Sequence, residues 1–321
     1  MYKKFFGLRE SPFKVNPDPR YLFLTPGIQE ALASLAYGIR GRRGIILLTG
    51  EVGTGKTTLL NMVLDWLRQN RAATAFIFNT HLTTSELFDC LMADLGIPCE
   101  SHSKSEILMR LNRWLLDRYS SGQTAVLIVD EAQSLSDQVL EEIRFLTNLE
   151  TSTEKLLQVV LSGQPELEEK LRQPHLRQLR QRITVRCKTC PLSLEETQGY
   201  IAERLRIAGA SNGSIFSPEA IESIHRHAVG IPRVINVLCE HALINCFADQ
   251  QKTVTPDHIE AVAREFELDL DTVRTKPLSA YQDKLTSVEK VLRDLSGVLE
   301  RMRQPASLAA GSTKENYEPY S

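Results

Sequence analysis

The chain has 321 residues, 42% hydrophobic and 24% charged, with a formal net charge of −2. This is ordinary globular material, long enough for two domains and a tail, and its near-neutral charge exerts no global pull toward nucleic acid or membranes. Six cysteines are too few for a disulfide framework over this length.

The opening "MYKKFFGLRESPF" lacks the apolar core of a signal peptide, and no run approaches the roughly 18 apolar residues of a membrane span, so a cytoplasmic location is expected. "GIILLT" (Gly44 to Thr49) is short, apolar and β-branched, and reads as a buried strand. The next stretch, "GEVGTGKTT", fills the pattern G-x-x-x-x-G-K-[ST] with Gly50, Gly55, Lys56 and Thr57. After it, Leu59, Leu60, Val63, Leu64 and Leu67 recur at helical spacing. Strand, glycine loop and helix is the order that phosphate binding needs, because backbone N–H groups then close around an anion at the positive end of a helix. Gly50, Glu51, Val52, Gly53, Thr54, Gly55, Lys56, Thr57 and Thr58 are therefore the candidate nucleotide loop. Lys56 is expected on the outer phosphates and the Thr57 hydroxyl on Mg²⁺.

Alternating strands and helices follow. "TAFIFN" (Thr74 to Asn79) predicts a strand, with helices around Ser85 to Leu95 and Ser105 to Tyr119. "TAVLIVDEAQ" (Thr124 to Gln133) predicts another strand, then a helix near Asp137 to Leu149, and strands at "LLQVVLSG" (Leu156 to Gly163) and "RITVRC" (Arg182 to Cys187). Such a βαβ rhythm implies an α/β fold with a parallel sheet covered on both faces. The apolar run "AVLIV" delivers Asp130 and Glu131 to a strand's carboxyl end, where α/β sheets bind ligands. Asp130 is the candidate metal residue with Thr57, and Glu131 the candidate general base that polarises water.

After Pro191 the strands stop. Ser193 with Glu196 makes a capping box, while Ser217–Pro218 and Thr255–Pro256 each supply an N-cap with proline at the first helical position. A small all-helical domain follows. Cys187 and Cys190 form one C-x-x-C with no second pair beside it, and packing is expected there rather than zinc or redox chemistry. Cys239 and Cys246 are expected in a helix core, and His225 and His227, two apart, on different helix faces.

With these motifs in place, the chain resembles the AAA+ ATPases and, within them, the general secretion pathway protein A (ExeA-like) group, which has relatives in pilus biogenesis and exosortase-linked polysaccharide loci. The resemblance runs from about Tyr2 to Leu268 and rests on "FFGLRESPFKVNPDPRYLFLTP", "GEVGTGKTT", "LIVDEAQ", "LSGQPEL", "LRQLRQRI" before "PLSLEET", and "GIPRVIN". It implies a P-loop NTPase (AAA+) parallel-sheet domain followed by a helical lid, ATP and Mg²⁺ as cofactors, and a homo-oligomer, ring or filament. By the same resemblance Ser162 and Gln164 match the sensor 1 region, and Asn79 the residue that restrains the catalytic glutamate. Arg180 and Arg182 fall where the arginine finger is placed, and Arg233 matches sensor 2. Longer members of the group continue through a membrane segment into a peptidoglycan-binding domain. Neither is recognisable in these 321 residues, so direct contact with the cell wall is not expected.

The implied organisation is a family segment over 1–40, a nucleotide-binding domain over 41–190, a lid over 191–268, a linker with a short coiled-coil-like helix over 269–303, and a disordered tail over 304–321. In the helix Leu285, Val288, Leu292, Leu295, Leu299 and Met302 are spaced 3-4-3-4-3. That seam either folds back on the lid, pairs with a sister subunit or recruits a partner. The function the resemblance implies is assembly or remodelling of a partner protein in a bacterial envelope secretion, pilus or exopolysaccharide system, with peripheral membrane attachment through that partner. The alternatives are an ATP-dependent DNA-binding regulator of transposition type, which net acidity disfavours, and a slow nucleotide-gated adaptor.

Overall fold

A computed structural model describes residues 1–78, 81–98, 103–210 and 215–268 of the chain. Asn79, the heptad seam and the closing tail lie outside these residues. The described residues all belong to one compact unit.

The chain opens with the single turn α1 (Tyr2–Phe5), an irregular strap and the helix α2 (Pro26–Arg40). Five strands then alternate with helices: β1 (Ile45–Gly50), α3 (Lys56–Gln69), β2 (Ala73–Ile77), α4 (Thr84–Asp94), α5 (Lys104–Ser120), β3 (Ala125–Val129), α6 (Asp137–Leu146), β4 (Leu157–Gly163), α7 (Pro165–Leu171), α8 (Arg177–Gln181) and β5 (Ile183–Thr189). Four helices close the described chain: α9 (Leu194–Ile207), α10 (Pro218–Ala228), α11 (Pro232–Ala248) and α12 (Pro256–Glu265).

The strands form one all-parallel sheet in the order β2-β3-β4-β1-β5. Every residue of β1, β3 and β4 is buried, as expected of parallel strands covered on both faces. Alternation divides them. Ile46, Leu48, Val126, Ile128 and Val160 pack with Leu35, Ile39, Leu59 and Leu67 of α2 and α3. Ile45, Leu47, Leu127, Val129, Val159 and Leu161 pack against Leu91, Leu111, Ile143 and Leu167 of the opposite helical layer. Each such side chain contributes about 1.5–3 kcal/mol by leaving water. This sets the register that positions the site: Val129 pairs with Leu161 and Leu48 with Ser162, so Asp130, Ser162 and Thr49 emerge at one edge.

Three differences from the sequence reading have local causes. The second strand stops at Ile77, before Phe78, which is exposed. The helix predicted to Leu149 ends at Leu146, where Thr147 Oγ1 donates to the Arg144 carbonyl. Helix α2 was not anticipated, although Thr25 and Pro26 carry the same cap-and-proline signature as Ser217–Pro218, with Thr25 Oγ1 accepting from Ile28 N. In α9 the predicted capping box is complete: Ser193 Oγ accepts from Glu196 N, and Glu196 accepts from Ser193 N.

The N-terminal strap is bound to the helical bundle rather than left free. Tyr2 Oη and Ser11 Oγ both donate to Glu240 of α11, at 2.6 and 3.1 Å. Arg204 of α9, itself buried, donates to the carbonyls of Pro12 (2.6 Å) and Lys14 (3.1 Å) and to Tyr200 Oη (2.7 Å), with Tyr21 stacked against its guanidinium. Farther along, Asn61 of α3 donates to the Pro17 carbonyl at 3.3 Å. The strap thus ties the bundle to the helix that starts at the phosphate loop. Arg204→Ala would strip partners from the buried Pro12 carbonyl, the part-buried Lys14 carbonyl and the buried Tyr200 hydroxyl. We expect a loss of about 3 kcal/mol, seen in thermal denaturation as a melting temperature about 6–10 °C lower.

Candidate nucleotide site

The phosphate loop is shaped by its neighbours. Gly55 caps α3 in the left-handed conformation (φ 96°), no side chain caps the helix there, and a Cβ at Gly55 would meet nothing within 4 Å. The first-turn N–H groups of α3 therefore border open space at a positive helix end, which fits an anionic phosphate. Lys56 is buried, and its ammonium donates to the carbonyls of Gly50 (2.7 Å) and Glu51 (3.0 Å). Burial pushes its pKa down, while the carboxylates of Glu131, Asp130, Glu51 and Glu166 pull it back up. Thr54 Oγ1 donates to the Glu51 carbonyl and lies 2.7 Å from Thr189 Oγ1, joining the loop to the end of β5.

Beside the loop, Asp130 is buried and shared. Its Oδ2 accepts from Thr57 Oγ1 at 2.8 Å, and its Oδ1 accepts from Ser162 Oγ at 2.8 Å and from Glu131 N at 3.0 Å. Thr57 and Asp130, predicted as metal residues, are therefore together. A hydroxyl and one carboxylate are a donor set that suits Mg²⁺, which keeps several waters, rather than a metal needing an all-protein cage. Among the described residues no group of three or more His, Cys, Asp or Glu side chains is placed to hold a metal.

Glu131 follows in a left-handed conformation (φ 53°, ψ 37°). One oxygen, Oε2, accepts from Gln133 Nε2 at 2.5 Å and from Gln164 Nε2 at 3.0 Å. The two sensor 1 candidates thus divide their roles: Ser162 holds Asp130, and Gln164 holds Glu131. Sequence reasoning missed Gln133. The only signal was its place in "DEAQ", where a short 3-10 turn (Ala132–Ser134) brings it back onto the glutamate.

The arginines separate clearly. Arg233, at the start of α11, donates its N–H to the Gly53 carbonyl at 3.2 Å. A Cβ on Gly53 would sit 2.7 Å from Arg233 Cβ, so only glycine permits this approach. Arg233 Nε is buried without a partner among the described residues, beside the loop, as a cation awaiting an anion would be. Arg182, by contrast, caps the end of α6: it donates to the Arg144 carbonyl (3.1 Å), Thr147 Oγ1 (2.8 Å) and Asn148 Oδ1 (2.6 Å). Arg180 is half-buried and pairs with no side chain among the described residues.

Cys187 is buried and Cys190 exposed, both free, and burial pushes the Cys187 thiol up to about 12. Cys239 and Cys246 are fully buried. His225 meets Thr197 Oγ1 at 2.9 Å and His227 meets Glu260 at 3.0 Å, on separate faces. Among the described residues no helix is long and apolar enough to cross a membrane.

A family model described as an AAA domain matches residues 39–171. General secretion pathway protein A of Aeromonas hydrophila is 45% identical over 266 residues, covering 83% of this chain and 48% of that protein, so the chain spans about half of this relative's length. Among solved structures, Cdc6p from Pyrobaculum aerophilum superposes with a TM-score of 0.60 at 18% identity, over 82% of this chain and 70% of that one. The Thermotoga maritima RuvB Holliday junction branch migration motor gives 0.52 at 15% identity, over 77% and 70%. At these identities the two structures establish the fold alone.

The arginine geometry separates two variants by stability. Arg182→Ala removes three hydrogen bonds from the end of α6 and is expected to cost about 1–3 kcal/mol, a melting temperature lower by several degrees. Arg180→Ala is expected to stay within about 0.5 kcal/mol of the parent in the same thermal scan.

Proposed function

The chain is an AAA+ ATPase of the general secretion pathway protein A type, and on that premise we propose that it hydrolyses ATP with Mg²⁺, self-associates, and uses the cycle to assemble or remodel a partner in a bacterial envelope secretion, pilus or exopolysaccharide system. The observation that carries the reading is the convergence, at the carboxyl ends of β1, β3 and β4, of Lys56, the Thr57–Asp130 pair and the amide-held Glu131.

Lys56 and the first-turn N–H groups of α3 hold the phosphates, and Arg233 senses them from the lid. Thr57 and Asp130 hold Mg²⁺, which when bound neutralises charge on the phosphate oxygens. Ser162 keeps Asp130 oriented. Glu131 takes the proton from the attacking water, aimed by Gln164. Arg180 is the finger that acts on a neighbouring subunit's nucleotide, stabilising charge that develops in transfer. The support for choosing it over Arg182 is that the latter is already committed to α6. The partner is a protein of the export system, drawn from the relative's name.

Lys56→Ala should lose nucleotide affinity, because the lysine contacts phosphate in the ground state. Glu131→Gln should retain ATP while turnover falls about 10²–10⁴-fold, since the carboxylate acts only as water attacks. Arg180→Ala should abolish turnover without loss of binding, and wild-type activity should rise more steeply than linearly with protein concentration. Equilibrium binding of a labelled nucleotide, steady-state phosphate release and a concentration series check these outcomes. Linear activity in a protein that sizes as a monomer with ATP would sink the shared-site reading. Salt-sensitive DNA binding in the presence of an ATP analogue would replace the export role with a transposition-type one.

A further inference from the structure

The amide of Gln133 has its orientation fixed from both ends. Its Oε1 accepts from the backbone N–H of Gln164 at 3.1 Å, a donor that cannot become an acceptor. Its Nε2 must therefore face Glu131, where it lies 2.5 Å from Oε2. A flipped amide would put NH₂ against an N–H and a carbonyl oxygen against a carboxylate. The oxygen end is also seated against backbone: a Cβ at Gly163 would lie 2.7 Å from Gln133 Oε1, so the glycine that closes β4 leaves room for this side chain. Gln164 then closes the figure, its own side chain donating to the same Glu131 oxygen at 3.0 Å.

Two N–H donors on one carboxylate oxygen do two things. They hold Glu131, whose backbone is left-handed and would otherwise leave a flexible side chain, in one rotamer. They also occupy Oε2, leaving Oε1 as the oxygen with free acceptor capacity.

We propose that Gln133 is a positioning residue for ATP hydrolysis: anchored on the Gln164 backbone and the Gly163 cleft, it clamps Glu131 Oε2 so that Oε1 takes the proton of the attacking water. This rests on Glu131 being the general base. The water's O–H bond breaks as its oxygen bonds to the terminal phosphorus, the proton passes to Oε1, and the bond to the leaving diphosphate oxygen breaks.

The test uses the full chain at one fixed protein concentration, with Gln133→Ala, Gln133→Glu and Glu131→Gln measured in parallel. For Gln133→Ala the expected result is a fall in kcat of about tenfold or more with KM and nucleotide affinity within about twofold, the mark of an interaction that matters only in the transition state. Gln133→Glu retains an oxygen for the Gln164 N–H but sets a second carboxylate against Glu131. Like charges repel, so kcat should fall at least as far as in Gln133→Ala, again with KM within about twofold. A merely structural glutamine would not split kcat from KM in this way. Wild-type kcat in both Gln133→Ala and Gln133→Glu, with Glu131→Gln inactive, would overturn the proposal alone. Loss of nucleotide binding and melting temperature together in Gln133→Ala would overturn it too, as the mark of a packing role. Full turnover in Glu131→Gln would instead remove the general-base reading on which it rests.

Discussion

The carboxylate of Asp130 is the interaction on which the site depends. It is buried at the end of β3 and accepts from three donors on three different elements: Thr57 in the first turn of α3, Ser162 at the end of β4, and the N–H of Glu131. A buried carboxylate needs such donors, since leaving it unpaired would cost several kcal/mol. Satisfying it therefore forces the ends of β1, β3 and β4 and the start of α3 into one arrangement. The hydrogen-bonded parallel ladder and the apolar packing on its faces supply that arrangement too, so the polar cluster and the core specify the same alignment.

A second constraint joins the phosphate loop to the helical bundle. Arg233 approaches Gly53 closely because the chain before it turns sharply. Val229 adopts φ 49° and Gly230 φ 73°, and Gly230 O accepts from Leu192 N at 2.7 Å. A β-branched residue in the left-handed region costs on the order of 1–2 kcal/mol, and here the Gly230 bond and the following Pro232 hold it there. The N-terminal strap, fastened by Arg204 and Glu240, also runs on to α3. The loop and the bundle are thus connected twice, once through Gly53 and Arg233, once through the strap.

The sequence shows some parts of this plainly and hides others for physical reasons. The loop, the Thr57–Asp130 pair and the buried central strands were legible because each depends on local order: a glycine spacing, an apolar run, an acid at its end. Arg180 and Arg182 could not be told apart. They lie two residues apart where α8 gives way to β5, and only the position of α6, brought in by the fold, shows which one meets carbonyls. Gln133 was hidden for a related reason, since its partner amide is Gln164, on a different strand end.

Those hidden contacts share a form. In each, a side chain from one element meets backbone that no ladder pairs: Arg182 at the Arg144 carbonyl, Gln133 at the Gln164 N–H, Arg204 at the Pro12 and Lys14 carbonyls of the strap. Strand ends and helix ends carry backbone groups that the ladders leave unpaired, and a buried one must find a partner. An α/β sheet gathers its strand ends on one side, so that is where long polar side chains are recruited as partners. At the carboxyl edge, where Gln133 meets Gln164, that placement also puts the side chain within reach of any ligand the strand ends bind. At Glu131 the hydrogen bonds that satisfy the fold are the same ones on which the proposed positioning rests.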